Sequence, residues 1–206
     1  MKTWRGFSLV ELIIGVAILG VLLAIAMPAF SNWLRNAKVR TAAESVQNGL
    51  QLARAEAVRR NTTVGFRLVD SADESCALIA NDLSTSVWNW VVSIRSPAGK
   101  CQIAPVAEDA DPSDDALADN PFIIQSRSGA EGSSAATLMT NRSEVLFNSL
   151  GRTTGNVVID VASATGELCL PSGPIRCLRI MVTRFGQIRM CDPDPALAVG
   201  DAQACT

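Results

Sequence analysis

Residues 5–30 read RGFSLVELIIGVAILGVLLAIAMPAF, and the fold turns on how that stretch is understood. Residues 12–30 carry no charge, and those 19 positions reach the roughly 20 apolar residues that cross a hydrocarbon core as a helix. Ahead of them stand Lys2, Arg5, Gly6 and Phe7, and one carboxylate, Glu11, sits just before the uncharged run. A basic head before an apolar run also describes a secretory signal, which is cut after the run at a small-residue site. MPAFSNW offers no A-x-A site of that kind. A cut between Gly6 and Phe7 instead leaves the hydrophobic helix on the mature chain as a working part.

Glu11 then needs a reason, because a carboxylate at the centre of a membrane helix costs about 2.5 kcal/mol or more and marks a functional site. Cutting after Gly6 exposes a cationic amine on Phe7, about one helical turn before Glu11. Within one chain, the unsatisfied N–H groups of the first turn favour a nearby carboxylate. Between chains, Glu11 pairs with the new amine of a neighbour and sets the axial register of packed helices. The competing reading is an interfacial Glu whose carboxylate snorkels to the headgroups. Pro28 removes one backbone hydrogen bond and bends the helix rather than ending it, since helical periodicity resumes at once.

The stretch GFSLVELIIGVAILGVLLAIAMPAF resembles the leader and N-terminal helix of type IV pilins and pseudopilins: a short basic leader, Gly6, Phe7, Glu11 and Pro28 at their fixed spacing. That resemblance implies cleavage after Gly6 by a prepilin peptidase and N-methylation of Phe7. It also implies that Glu11 neutralises a neighbouring subunit's N-terminus during assembly.

Beyond Phe30 the chain reads SNWLRNAKVRTAAESVQNGLQLARAEAVRRN, with Val39, Ala42, Ala43, Val46, Leu50, Ala53 and Ala57 at steps of mostly three or four. This is the stripe of an amphipathic helix, and continuity from Phe7 to Arg60 predicts a rod of roughly 80 Å. Six basic residues face two acidic ones here, a solvated helix face or a positive-inside signal more than a nucleic-acid surface. The string LQLARAEAVRRN is similar to the helix end of the GspH/FimT/FimU family of minor pilins and pseudopilins.

From Asn61 onward the period shortens. TTVGFRLV, CALIAND, WNWVVSI, FIIQS, ATLMT, EVLFNSL, NVVIDVAS, CLRIMVT and GQIRMC read as strands, and Phe185 and Gly186 make the last two a β-hairpin. Many short strands after one long helix give an α+β fold, an antiparallel sheet or small sandwich packed on the helix, which is also what the resemblance implies. Four segments follow: residues 1–6 as leader, 7–30 as hydrophobic transmembrane and assembly helix, 31–60 as amphipathic helix, and 61–206 as a disulfide-containing β-rich domain.

The 18 basic and 20 acidic residues leave a net charge of −2, so no global field points to nucleic acid. His and Tyr are absent, which removes His-based triads and imidazole metal ligands. With no nucleophile motif and no phosphate-binding Gly loop, no residue is assigned as catalytic and no cofactor is expected. Cys76, Cys101, Cys169, Cys177, Cys191 and Cys205 form no C-x-x-C pair, and an even count after the apolar segment suits an exported, oxidised domain. Of the 15 pairings six cysteines permit, short loops favour Cys169 with Cys177, Cys191 with Cys205 and Cys76 with Cys101.

The acidic run APVAEDADPSDDALADNP lacks the Gly and the regular spacing of a calcium loop and reads as a solvated loop with no metal. SGAEGSSAAT reads as a surface loop. Trp88 and Trp90 fall on one strand face and suit core packing; the W-x-V pattern and the F-x-x-x-G-R unit in FNSLGRTTGN are similar to the family's at these points. In some FimT-type minor pilins a G-R-x-R motif in the C-terminal hairpin contacts DNA phosphates. Here Gly186, Gln187, Ile188 and Arg189 stand in its place, so the first arginine is missing, while Arg176, Arg179, Arg184 and Arg189 remain close in sequence. Losing one contact weakens phosphate binding without abolishing it.

The resemblance implies a minor pilin that assembles through its helix into a type IV pilus, in a tip or priming complex, supporting pilus biogenesis, adhesion, twitching or DNA uptake. The alternatives are an H-type pseudopilin of type II secretion and a DNA receptor at the pilus tip. Implied partners are other minor pilins, major pilin subunits, prepilin peptidase and the inner-membrane assembly platform. The implied place is the inner membrane, single-pass with a periplasmic domain, and then a surface pilus or periplasmic pseudopilus.

Overall fold

The computed structural model describes residues 8–71, 73, 76–79, 84–85, 89–105, 110, 112, 114, 117–129, 136–198 and 200–205. Helix α1, Leu9–Arg59, runs for 51 residues and passes through Pro28 unbroken, a length of roughly 77 Å. Ser8 caps it: the Glu11 backbone N–H donates to Ser8 Oγ at 3.2 Å and the Ser8 N–H donates to Glu11 Oε2 at 3.4 Å. This reciprocal capping box satisfies two of the donors a helix start leaves orphaned.

The stripe read from the periodicity is the buried face, since Val39, Ala42, Ala43, Val46, Leu50, Ala53 and Ala57 are all inaccessible. Two residues without an apolar side chain complete it. Ser45 Oγ accepts from Trp90 Nε1 at 3.1 Å, and a Cβ on Gly49 would meet the Phe66 ring at 2.8 Å. Glycine at that helix position is what lets the aromatic pair Phe66 and Trp90 lie against the backbone.

Two antiparallel sheets take up this face. One is built from β1 (Val64–Val69), β3 (Asn89–Ser93), β4 (Ile123–Ser128) and β6 (Glu144–Phe147), in the order β4-β3-β1-β6. The other holds β2 (Ser84–Thr85), β5 (Ala136–Thr140), β7 (Val157–Ser163), β8 (Leu178–Val182) and β9 (Ile188–Cys191), in the order β2-β5-β7-β8-β9. Phe66, Trp90 and Phe147 from the first and Leu138, Ile159, Val161 and Ile180 from the second join the helix stripe in a single core. In β7 burial alternates residue by residue, the mark of a sheet with one wet face.

Strand β1 is buried at every position, because its outer face is covered as well. Val69, Val91 and Ile123 pack there with Cys76 and Cys101 in a small second core. Arg67 lies on that outer face, 4% exposed, with Nε donating to Glu144 Oε1 at 2.6 Å and Nη1 to both Ser93 oxygens at 2.9 Å. Burial pulls this guanidinium's pKa down and Glu144 pulls it back up. A Cβ on Gly65 would lie 2.5 Å from the Arg67 guanidinium, so the glycine vacates the space the buried cation fills.

Disulfides join Cys76 to Cys101, Cys169 to Cys177 and Cys191 to Cys205. The segment CALIAND departs from the strand expected of it. Leu78 makes an isolated bridge to Val69, and the Ala77 N–H bonds to the Asp70 side chain rather than to a strand neighbour. Residues 80–82 of that segment, Trp88, and Glu108, Asp109, Asp111 and Asp115 of the acidic run lie outside the described residues, as do 130–135 of SGAEGSSAAT. What is described of the acidic run is tied down by Arg95, which donates to the carbonyls of Pro112, Leu117, Ala118 and Asn120 while stacking on Phe122.

Candidate functional site

Residues 9–30 of α1 lie outside the domain core. Every one of their side chains is exposed, and the helix is long and apolar enough to cross a membrane, with no part of that window buried. An all-round apolar surface of this extent needs a lipid or protein cover. Glu11 is the one acidic or basic side chain in it, and its carboxyl already engages the Ser8 N–H. The residue order S-x-x-E carried this cap in plain view, and it is the feature of the site that sequence reasoning passed over. Gly6 and Phe7 lie outside the described residues.

Where α1 leaves the apolar segment, the loop between β7 and β8 is fastened to it. Asn36 Nδ2 donates to the Pro174 carbonyl at 3.4 Å, and the Arg176 N–H donates to Asn36 Oδ1 at 2.7 Å. Arg35 Nη1 pairs with Glu167 Oε1 at 2.8 Å. Hydrogen bonds from Thr165 and then Ser163, followed by Arg35, hold the Glu167 carboxyl below its ordinary pKa. At the other end of the helix, Gly151 (φ 69°) and Gly186 (φ 80°) meet Arg54, so the turn after β6 and the β8–β9 hairpin dock together.

That hairpin brings the candidate arginines onto neighbouring positions but engages most of them. Registry sets Met181 opposite Arg189 and Arg179 opposite Cys191, so Arg179 and Arg189 share the outer face. Arg179 holds Asp160 with Nε and Nη2 at 2.6 and 3.0 Å, a bidentate pair that raises its pKa. Arg176 pairs with Asp192 at 2.5 Å and also donates to Gln203. Arg189 Nη2 donates to the Ala202 and Ala204 carbonyls. Arg184 lies over the Phe185 ring at the exposed tip, with no carboxylate in ion-pair reach among the described residues. Gly186 serves the turn itself. Among the described residues no group of three or more His, Cys, Asp or Glu is placed to hold a metal ion.

A long helix, bare and apolar in its first half and seated on a β domain in its second, defines a pilin-like subunit. The chain belongs to the family described as Type II transport protein GspH, which matches residues 42–186. The prokaryotic N-terminal methylation motif matches residues 5–27. Pilin-like protein PilA1 of Thermus thermophilus is 41% identical over 66 residues, 32% of this chain and 41% of that protein. Type IV major alpha-pilin of Moraxella bovis is 28% identical over 85 residues, 41% of this chain and 54% of that protein. The chain thus spans about half or less of the length of these relatives. The solved type IV minor pilin FimU of Pseudomonas aeruginosa aligns with a TM-score of 0.42 at 12% identity, covering 73% of this chain and 90% of that one.

Proposed function

We propose that the chain is a minor, non-enzymatic filament subunit, anchored in the inner membrane by residues 7–30 and then drawn into a type IV pilus as part of its tip or priming complex. The observation that carries this reading is the bare apolar half of α1, continuous with a half that is fused into the domain core. Pulling on such a helix lifts the domain with it. Three disulfides within the β domain suit the oxidising compartment beyond that membrane.

Cleavage after Gly6 by a prepilin peptidase frees Phe7 for N-methylation and puts a cation at the mouth of the helix. In the membrane, Glu11 keeps its carboxylate on Ser8; in the filament, it turns to the amine of the neighbouring subunit. The proposed partners are other minor pilins, major pilin subunits and the inner-membrane assembly platform. The family's description as a type II transport protein favours a second reading, in which the filament is a type II secretion pseudopilus. A DNA contact at the hairpin draws on Arg184 alone without first breaking an existing bond.

The test replaces Glu11 by Lys and by Gln in the full chain. Both variants are expected in the membrane fraction at the unaltered level, with at least a tenfold loss of Glu11→Lys from sheared filaments. Undiminished incorporation of Glu11→Lys overturns the charge-pair role. Intact-mass analysis of the unaltered chain checks the processing step, which predicts loss of residues 1–6 and gain of one methyl group.

A further inference from the structure

Among the cavities, charged clusters and exposed apolar residues of the domain, one group stands at a defined height above the proposed membrane. Residues 12–30 fill the hydrocarbon core, and the polar headgroup layer adds about 5–7 Å on each side. At 1.5 Å per residue, residues 31–35 cross that layer. Phe30 and Trp33, their rings 5.8 Å apart, therefore sit at the boundary where amphipathic aromatic side chains gather.

The loop of residues 164–176 is fastened to the helix at the outer edge of that layer. Glu167 is held by Arg35, while Pro174 and Arg176 are held by Asn36, and the Cys169–Cys177 disulfide closes the loop. Two leucines project from it: Leu168 is 63% exposed and Leu170 38%. A polar loop could have served the same three fastenings. Leucines facing water at this level instead add exposed apolar surface beside the anchor, as Trp33 and Leu34 do on the helix itself.

We infer that the 164–176 loop is a second membrane contact, with Leu168 and Leu170 seated among the phospholipid headgroups and upper acyl chains of the leaflet from which α1 emerges. The inference rests on the reading of residues 7–30 as a membrane anchor. The contact sets the tilt of the β domain on the bilayer, and extraction into a filament has to peel the loop from lipid together with the helix.

The full chain, one copy per phosphatidylcholine nanodisc so that no neighbouring subunit is present, tests this with lipids brominated high on the acyl chain. Leu168→Trp and Leu150→Trp are each placed in a Trp33→Phe background, which retains Trp4, Trp88 and Trp90, and each added indole is read as the difference from that background. Leu150 is 70% exposed and borders Gly151, which meets Arg54, about 27 Å further along the helix than Asn36. The indole at 168 is expected to be quenched at least twofold more than the indole at 150, and Leu170→Trp provides a repeat at a second position. Equal quenching at 168, 170 and 150 overturns the inference. Comparing the unaltered chain with Trp33→Phe separates the causes. Quenching at Trp33 alone removes the loop contact and leaves the anchor standing, whereas none at Trp33 removes both.

Discussion

Gly186 shows how a residue that resembles part of a ligand motif is committed to the fold. A Cβ there would lie 1.8 Å from the Gly151 carbonyl oxygen, on a backbone held at φ 80°. Left-handed backbone alone costs a non-glycine residue about 1–2 kcal/mol, and the collision adds an overpacking cost of about 1–3 kcal/mol. Gly186→Ala is expected to lose about 2–5 kcal/mol in urea unfolding of residues 31–206, which retain the whole buried core. Gly166→Ala has a similar φ of 79° and open space around it, so it is expected to lose only the backbone part. Arg67 makes the converse point. The alternation of VGFRLV sets Arg67 opposite Phe66 and Leu68, and by sequence pattern that face belongs to solvent. The strand gives no sign that a disulfide-held loop will cover it. Glu144→Ala leaves the buried guanidinium with Ser93 only, and a loss of about 1–3 kcal/mol is expected. The double replacement Arg67→Met/Glu144→Met is expected to recover part of that loss, since no buried charge is left unpaired.

Elements whose signal is local were legible, and those that depend on distant partners were not. The α1 stripe follows from 3.6-residue periodicity alone, and β7 and the β8–β9 hairpin follow from alternation with a turn between them. CALIAND has the composition of a strand, yet its backbone donors are claimed by Asp70 and by the end of β1, and that competition is invisible in the segment itself. The helix C-terminus offers a test of local electrostatics. Glu56 accepts from Arg59 at 2.7 Å and from Arg60 at 2.8 Å. The Arg59 bonds, then those of Arg60, hold its carboxyl below the ordinary range, against burial that pushes it up. Because the folded value is the lower one, the stabilisation is complete above the unfolded carboxyl's pKa of about 4.3 and disappears as pH falls through the folded value. Glu56→Gln is expected to unfold earlier than the unaltered domain at neutral pH, by about 0.5–1 kcal/mol for a partly buried network. That difference should narrow as pH drops below about 4.3. A gap that persists unchanged into strong acid would assign the effect to packing instead.

For the whole molecule, the division into two sheets is the least legible feature, because β1 pairs with the distant β6 while β5 passes over β6, its neighbour in sequence, to pair with β7. The same separation makes the disulfides unequal. Linking two residues removes denatured-state entropy in proportion to the logarithm of the loop closed. The separations of 25 residues for Cys76–Cys101 and 8 for Cys169–Cys177 make the first bond worth about 1 kcal/mol more on this count. Both bonds also meet apolar packing: Cys76 and Cys101 are walls of the second core, against Val69, Val91 and Ile123, while Cys177 belongs to the main core with Cys169 packed against it. Paired replacement by Ser is therefore expected to lower the urea midpoint more for Cys76/Cys101 than for Cys169/Cys177, with each remaining disulfide verified by intact mass. Losing the first pair should also speed amide exchange in β1 and β4, whose outer faces it covers. Losing the second should leave β1 and β4 unchanged and loosen the loop that Arg35 and Asn36 hold against the helix. Equal midpoints and equal exchange in the two variants would show that neither loop length nor the second core governs how the β domain holds together.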